Sequence, residues 1–271
     1  MPRANREWTT AKFERYRKER RGEGNGENYT PWNKIQELHS TGRVSRSPSW
    51  KTNRVHHLFD DREIDLFFLF EWSDSIIDIK EQFPLIDLDL AMKIATDMGI
   101  EYPKDAKSGT PNVLATTFML VVKEGDQIVE KARTFKQVKD LGTKVAEILE
   151  LEKRYFTAKG IDWGIITEKE VPTLLVENIE WIHSSYKLEA TAEMSEEELR
   201  HVSGVLKSKL NTIDSTINKI ATSLDKDMNL DDGTCLSLFK HLLARKEIIM
   251  DMRSRKLSGF LSTKDIQKIV F

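Results

Sequence analysis

The tightest constraint on the fold is a hairpin signature near the middle of the chain. Val113 to Val122 is strongly apolar, Gly125-Asp126 is a turn pair, and Ile128 to Phe135 continues as a second strand. Strands joined that closely pair antiparallel, and a pair alone is unstable, so further layers must cover it. The flanking segments supply those layers. Residues 75–82 read as a strand ended by Phe83-Pro84, and 87–98 as a short helix. Residues 139–158 read as a long helix with Val145, Ile148, Leu149 and Tyr155 on its inner side, closed by Gly160. Trp163 to Thr167 is another strand. Ahead of them, Asp60-x-x-Glu63 fits a helix cap, with Ile64, Phe67, Phe68 and Trp72 at helical spacing. The expected fold is therefore an α/β domain with a mixed sheet, ending near residue 168.

Beyond residue 168 the pattern becomes mainly helical. Residues 171–184 are amphipathic, Ser195-x-x-Glu198 caps a helix carrying Leu199, Val202, Leu206 and Leu210, and Asp214 caps another. A third helix follows Asp231-Asp232-Gly233. Glu247 to Met252 alternates like a strand, with Arg253 to Lys256 as its turn and Leu257 to Leu261 as the return. Three helices and a basic hairpin suggest a winged-helix-like domain over 169–271, with a plain helical docking domain nearly as well supported.

Charge separates the two ends of the chain. Residues 1–56 hold 13 Lys+Arg against 6 Asp+Glu, whereas the whole chain nets −2. A basic head on an acidic body points to an anionic partner at one end, with nucleic acid foremost. Residues 1–28 read as a basic arm hinged by the glycines at 22, 24 and 26, or as a short solvated helix. Arg15, Arg17, Lys18, Arg20, Arg21, Arg43, Arg46, Lys51 and Arg54 are the candidate DNA contacts. The single cysteine, Cys235, excludes a disulfide framework and suits a reducing cytoplasm. The longest apolar run, Leu66 to Phe70, is too short for a membrane span.

Few residues carry chemistry. Glu63 shares a helix face with Phe67 and Phe70, and is either a metal ligand or the closing member of its capping box. Lys136 ends the second hairpin strand on the side of Glu130, Ala132 and Thr134, where it could orient a water and steady charge on phosphorus. His56-His57 diverge on an extended chain, and no Walker loop, GxSxG or Cys/His spacing occurs.

Several segments together resemble a known family. Tyr29-Thr-Pro-Trp32, Lys51-Thr-Asn-Arg-Val-His-His57, Phe70-Glu-Trp72 and Ile79-Lys-Glu-Gln-Phe-Pro84 are similar to the TnsA endonucleases of heteromeric bacterial transposases. Ala132-Arg-Thr-Phe-Lys136, Leu149-Glu-Leu-Glu-Lys-Arg-Tyr155 and Val176-Glu-Asn-Ile-Glu-Trp181 continue the likeness, which covers about residues 20–185. The resemblance implies a restriction-endonuclease-like domain over 29–168, then a winged helix. It implies a bacterial, cytoplasmic protein that cuts the 5′ strands at double-stranded transposon ends. Its partners would be TnsB, which joins the 3′ ends, and the ATP-dependent regulator TnsC, met through residues 169–271.

The resemblance also implies magnesium, or manganese, held by a helix acid and a strand acid, with Gln or Glu two residues before a lysine. Glu63 falls on the helix acid and Lys136 on the lysine. Thr134 stands where Gln or Glu is common, and Thr117 stands where the family pattern expects Asp. No acid lies between Lys107 and Lys123, and Glu130 is about 20 Å from Lys136 along a strand. A neutral hydroxyl is a poor magnesium ligand, so the metal site is expected to be weakened or absent. Three readings follow: an active nuclease, a catalytically impaired TnsA that still assembles, or a winged-helix DNA-binding regulator.

Overall fold

The structure is a computed structural model that describes residues 7–37, 44–188 and 194–271. The chain divides into two compact units, residues 1–171 and 172–271. It is a mixed α/β protein with eight α-helices and a four-stranded mixed sheet among the described residues.

In the first unit, α1 (Thr10–Lys18) leads to a small hairpin of β1 (Ser45–Pro48) and β2 (Val55–Leu58). Then come α2 (Asp61–Trp72), β3 (Ile76–Pro84), α3 (Leu88–Asp97), β4 (Ala115–Glu124), β5 (Gln127–Phe135), α4 (Thr143–Ala158) and β6 (Asp162–Ile166). The sheet order is β3-β4-β5-β6; β6 lies parallel to β5 and the other pairs are antiparallel. Side chains alternate across it. Met119 and Ala132 face α3 and α4 and join Leu85, Ala95, Leu151, Tyr155 and Phe156 in the core. Phe118 points the other way, edge-on to Phe70 of α2 with ring centroids 5.2 Å apart. The sheet is thus covered on both faces.

The amino-terminal segment differs from the expected arm. Thr9 caps α1, and Trp8, Phe13 and Tyr16 pack around Trp32. Those aromatics give the basic segment an apolar side that docks it, and the charge pattern alone concealed this. Glycine is required at the turn that follows. Gly22 has φ +78°, and a Cβ there would stand 2.3 Å from Pro84.

The second unit contains α5 (Thr173–His183), α6 (Glu196–Thr212), α7 (Ile217–Asp227), α8 (Thr234–Ala244), β7 (Ile248–Met250) and β8 (Ile266–Ile269). Ser195 and Glu198 form a reciprocal capping box on α6, as their spacing predicts. Thr216, rather than Asp214, caps α7. The return strand also moves: β8 pairs with β7 at 266–269 instead of 257–261. Buried Asn178 explains the shift. Its carbonyl oxygen accepts the Leu257 N–H at 2.7 Å while its amide donates to the Met252 and Arg255 carbonyls, so this stretch is held as a loop.

Candidate active site

The site is built where the start of α2 meets the carboxyl ends of β3 and β5. Asp60 Oδ1 accepts the N–H groups of Arg62 and Glu63 at 2.8 and 2.9 Å, opening α2 at this point. Glu63 does not close a box with Asp60. Its Oε2 accepts the Phe59 N–H at 2.7 Å, and its Oε1 faces Gln82 Nε2 at 3.4 Å. Gln82 sits at φ +51°, uncommon for a non-glycine residue, and is held from both sides. Asn33 donates to its Oε1 and Trp32 N–H to its carbonyl. Burial pushes the Glu63 carboxyl up to about 8; Asp60 and Glu81 add to the rise, while the Phe59 N–H and the Lys136 charge oppose it.

β5 presents the other half. Lys136 follows directly on the strand, and its N–H donates to the Ile166 carbonyl at 3.1 Å, which ties the strand end to β6. Thr117 Oγ1 accepts the Phe135 N–H at 3.0 Å, so its hydroxyl serves the backbone between β4 and β5. Thr134 takes part in a buried chain of hydrogen bonds. Its Oγ1 lies 2.8 Å from Thr116 Oγ1 and donates to Glu152 Oε2 at 2.5 Å, while Trp163 Nε1 reaches the same Oε2 at 3.4 Å. Burial pushes Glu152 up to about 7, against these hydrogen bonds and the Lys136 charge. The structure therefore brings Glu63, Lys136 and Thr134 to one end of the sheet. It adds Glu152, which pattern reading missed. The available signal was an acid on the buried stripe of α4, three residues from both Leu149 and Tyr155.

The basic residues separate by environment. Arg15, Arg17, Lys18, Arg20 and Arg46 are exposed, with Arg15 pairing to Glu19 and Arg17 and Arg20 to Glu23 at the surface. Three others are tied into the fold by less exposed partners. Arg21 is 3% exposed, binds Glu37 through both Nη atoms, and stacks 3.5 Å from the Tyr16 ring. Lys51 Nζ donates to the Ser73 and Ile76 carbonyls, tying the end of α2 to β3. Arg54 clasps the fully buried Glu81, which also meets His56 Nδ1 at 2.8 Å and the His57 N–H at 3.0 Å. In the structure these three hold other parts of the fold. Arg43 lies outside the described residues. Glu130 ion-pairs with Lys80 at 3.3 Å, away from Lys136.

Comparison with known proteins adds a separate line of observation. Residues 73–168 match the family model described as TnsA-like endonuclease N terminal, and residues 170–252 match TnsA endonuclease C terminal. The transposon Tn7 transposition protein TnsA of Escherichia coli is 37% identical over 246 residues, which cover 90% of this chain and 87% of that protein. The first match includes Thr117, Thr134, Lys136 and Glu152 and begins at Ser73, beyond α2, so it does not include Glu63.

Proposed function

This chain belongs to the TnsA endonuclease family and serves Tn7-like transposition, and from that premise we propose that it cuts the 5′ strands at double-stranded transposon ends. The observation that carries this reading is the buried carboxyl of Glu63, fixed by the Phe59 N–H and Gln82 at the start of α2, with the Lys136 charge near enough to bear on it. The covered sheet with a helix acid and a strand-end lysine supports a restriction-endonuclease-like domain.

The chain's own residues divide the work. Gln82 and the Phe59 N–H orient the Glu63 carboxylate. The half-buried Lys136 ammonium sits where it can steady charge on the scissile phosphate and hold a water by one N–H. Magnesium, or manganese, would polarise the phosphate and lower the pKa of an attacking water. The donors fit such a cation incompletely at the family positions: Glu63 offers a buried carboxylate, whereas Thr117 offers a neutral oxygen already engaged with Phe135. Arg15, Arg17, Lys18, Arg20 and Arg46 would grip the phosphate backbone.

The second unit fits partner docking. Helices α6, α7 and α8 followed by β7 and β8, with a bridge between Thr216 and Ser262, support a winged-helix arrangement. Part of the α8 surface is occupied. His241 Nδ1 meets the Ser185 and Tyr186 carbonyls at 3.1 and 3.0 Å, and Arg245 donates to the Tyr186 hydroxyl. A helix so covered suits contact with a TnsC-like regulator better than the DNA major groove, while a TnsB-like transposase would join the 3′ ends. No helix among the described residues is long and apolar enough to cross a membrane. On the likeness to the Escherichia coli TnsA, the chain would work in the bacterial cytoplasm.

The test is strand-specific nicking of labelled transposon-end duplex by the full chain with its TnsB and TnsC partners and magnesium. Cutting of the 5′ strand should fall at least a hundredfold in E63Q and K136A. Undiminished cutting by K136A overturns the assignment.

A further inference from the structure

We propose that Asn33 is a positioning residue of the nuclease: it fixes which end of the Gln82 amide faces Glu63, and so sets that carboxylate from the amino-terminal segment. The inference rests on the nuclease reading and deepens it.

β3 is an edge strand of the sheet, and the amino-terminal segment is hydrogen-bonded to its carboxyl end. The Tyr29 hydroxyl donates to the Glu81 carbonyl at 3.0 Å, and the Trp32 N–H to the Gln82 carbonyl at 3.2 Å. Trp32 is held on its other sides too. Its carbonyl accepts Arg21 Nη1 at 2.9 Å, and its ring, 2% exposed, lies among Trp8, Phe13 and Tyr16. Asn33 follows directly, so its side chain starts from a firmly placed backbone. These contacts already fasten the segment to the strand. The side-chain bond from Asn33 to Gln82 is not needed for that.

What the bond does set is direction. A primary amide has two unlike ends, an oxygen that only accepts and an NH2 that only donates. Asn33 Nδ2 donates to Gln82 Oε1 at 3.1 Å, which leaves Gln82 Nε2 for Glu63 Oε1 at 3.4 Å. Turned over, Gln82 would set an oxygen against the carboxylate. The Phe59 N–H serves Oε2 of Glu63, so the Gln82 amide is what addresses Oε1.

The backbone of Gln82 points the same way. Its φ of +51° suits glycine and disfavours any residue with a Cβ. Backbone strain of this kind concentrates at functional sites, where the surroundings hold a side chain against local preference. A glutamine here gives up the local stability of glycine and supplies an amide aimed at a carboxylate only 8% exposed.

Single-turnover nicking by the full chain with its TnsB and TnsC partners, read beside transposon-end affinity and melting temperature, tests this. N33A should cut roughly tenfold more slowly, with DNA affinity and melting temperature unchanged. N33D keeps the shape of asparagine but can only accept, so it draws Nε2 away from Glu63 and should cut more slowly still. A mere packing role would spare it. Q82G should melt no lower than the unaltered chain, because glycine suits φ +51°, yet cut at least about tenfold more slowly. In the Q82G background N33A and N33D should change nothing further, because both act through the same amide. Wild-type cutting by N33A or by Q82G, or losses that multiply in the double variants, overturns the inference. Where N33A or N33D does not fold, Q82G decides alone. The nuclease reading fails separately, if K136A still cuts; no cutting by the unaltered chain overturns both.

Discussion

Replacing Glu81 by Gln should destabilise the first unit more than any surface change. Glu81 is wholly buried and receives Arg54 through both Nη atoms at 2.8 and 2.5 Å, with Arg54 itself only 9% exposed. Glutamine removes the charge and leaves the guanidinium buried without its counter-ion, which costs about 3–5 kcal/mol. For a unit of this size that corresponds to roughly 10 °C in melting temperature. R54M should cost less, because His56 and the His57 N–H still address the carboxylate. The double variant E81L/R54M should recover part of the loss, because apolar side chains of similar volume often replace a buried pair at little cost. Urea denaturation followed by tryptophan fluorescence measures all three, and the cycle closed by the single variant E81L should show a coupling above about 2 kcal/mol. The same pair sets an acid limit. Burial alone would raise Glu81, yet His56 and Arg54 hold it well below the usual carboxylate range. Its contribution is full above the ordinary value of 4.5 and is lost as pH falls below it. Additive single-variant losses, or an E81Q cost under about 1 kcal/mol, would refute the assignment of Arg54 to the fold.

Burial pushes His183 down to about 4 from 6.5, so its neutral form belongs to the folded state. Stability should therefore fall by roughly 3 kcal/mol as pH drops from 6.5 to 4, and H183Q should flatten that dependence in pH-resolved melts. Asp225, 1% exposed, accepts the Gly233 and Cys235 N–H groups at 2.9 and 2.8 Å and so caps α8. D225A should cost about 2 kcal/mol in chemical denaturation, and a loss within experimental error would deny it that role. Neutralising Arg15, Arg17, Lys18 and Arg20 together should reduce the salt dependence of transposon-end binding by about 0.9 per phosphate contact removed. An unchanged slope would take the DNA away from α1.

What could be read in the residues was what depends on near neighbours. The hairpin across Gly125-Asp126, the Asp60 cap and the Ser195–Glu198 box all emerge where their spacing puts them. Each rests on contacts within one turn of chain. Glu63 and Lys136 stood out as ionisable residues on apolar elements, and a family pattern marks both, while the local reading of Glu63 leaned to a cap. In the structure Glu63 does not close that cap; its carboxyl takes the Phe59 N–H and faces Gln82, 19 residues away on β3.

The sequence by itself determined the alternation of strands and helices, the change of character near residue 170, and the absence of an acid between Lys107 and Lys123. The tertiary structure decided which side chains share a partner. It paired Thr134 with Glu152 across 18 residues, Arg54 with Glu81 across 27, and Asn178 with Leu257 across 79. Charge counting placed Arg21, Lys51 and Arg54 with the other DNA contacts, although each has a partner within the fold. The physical reason is range. Turn and helix signals are set by backbone geometry over a few residues. Whether a buried carboxylate stands beside a lysine, or an arginine turns inward, depends on elements that meet only after the sheet has formed.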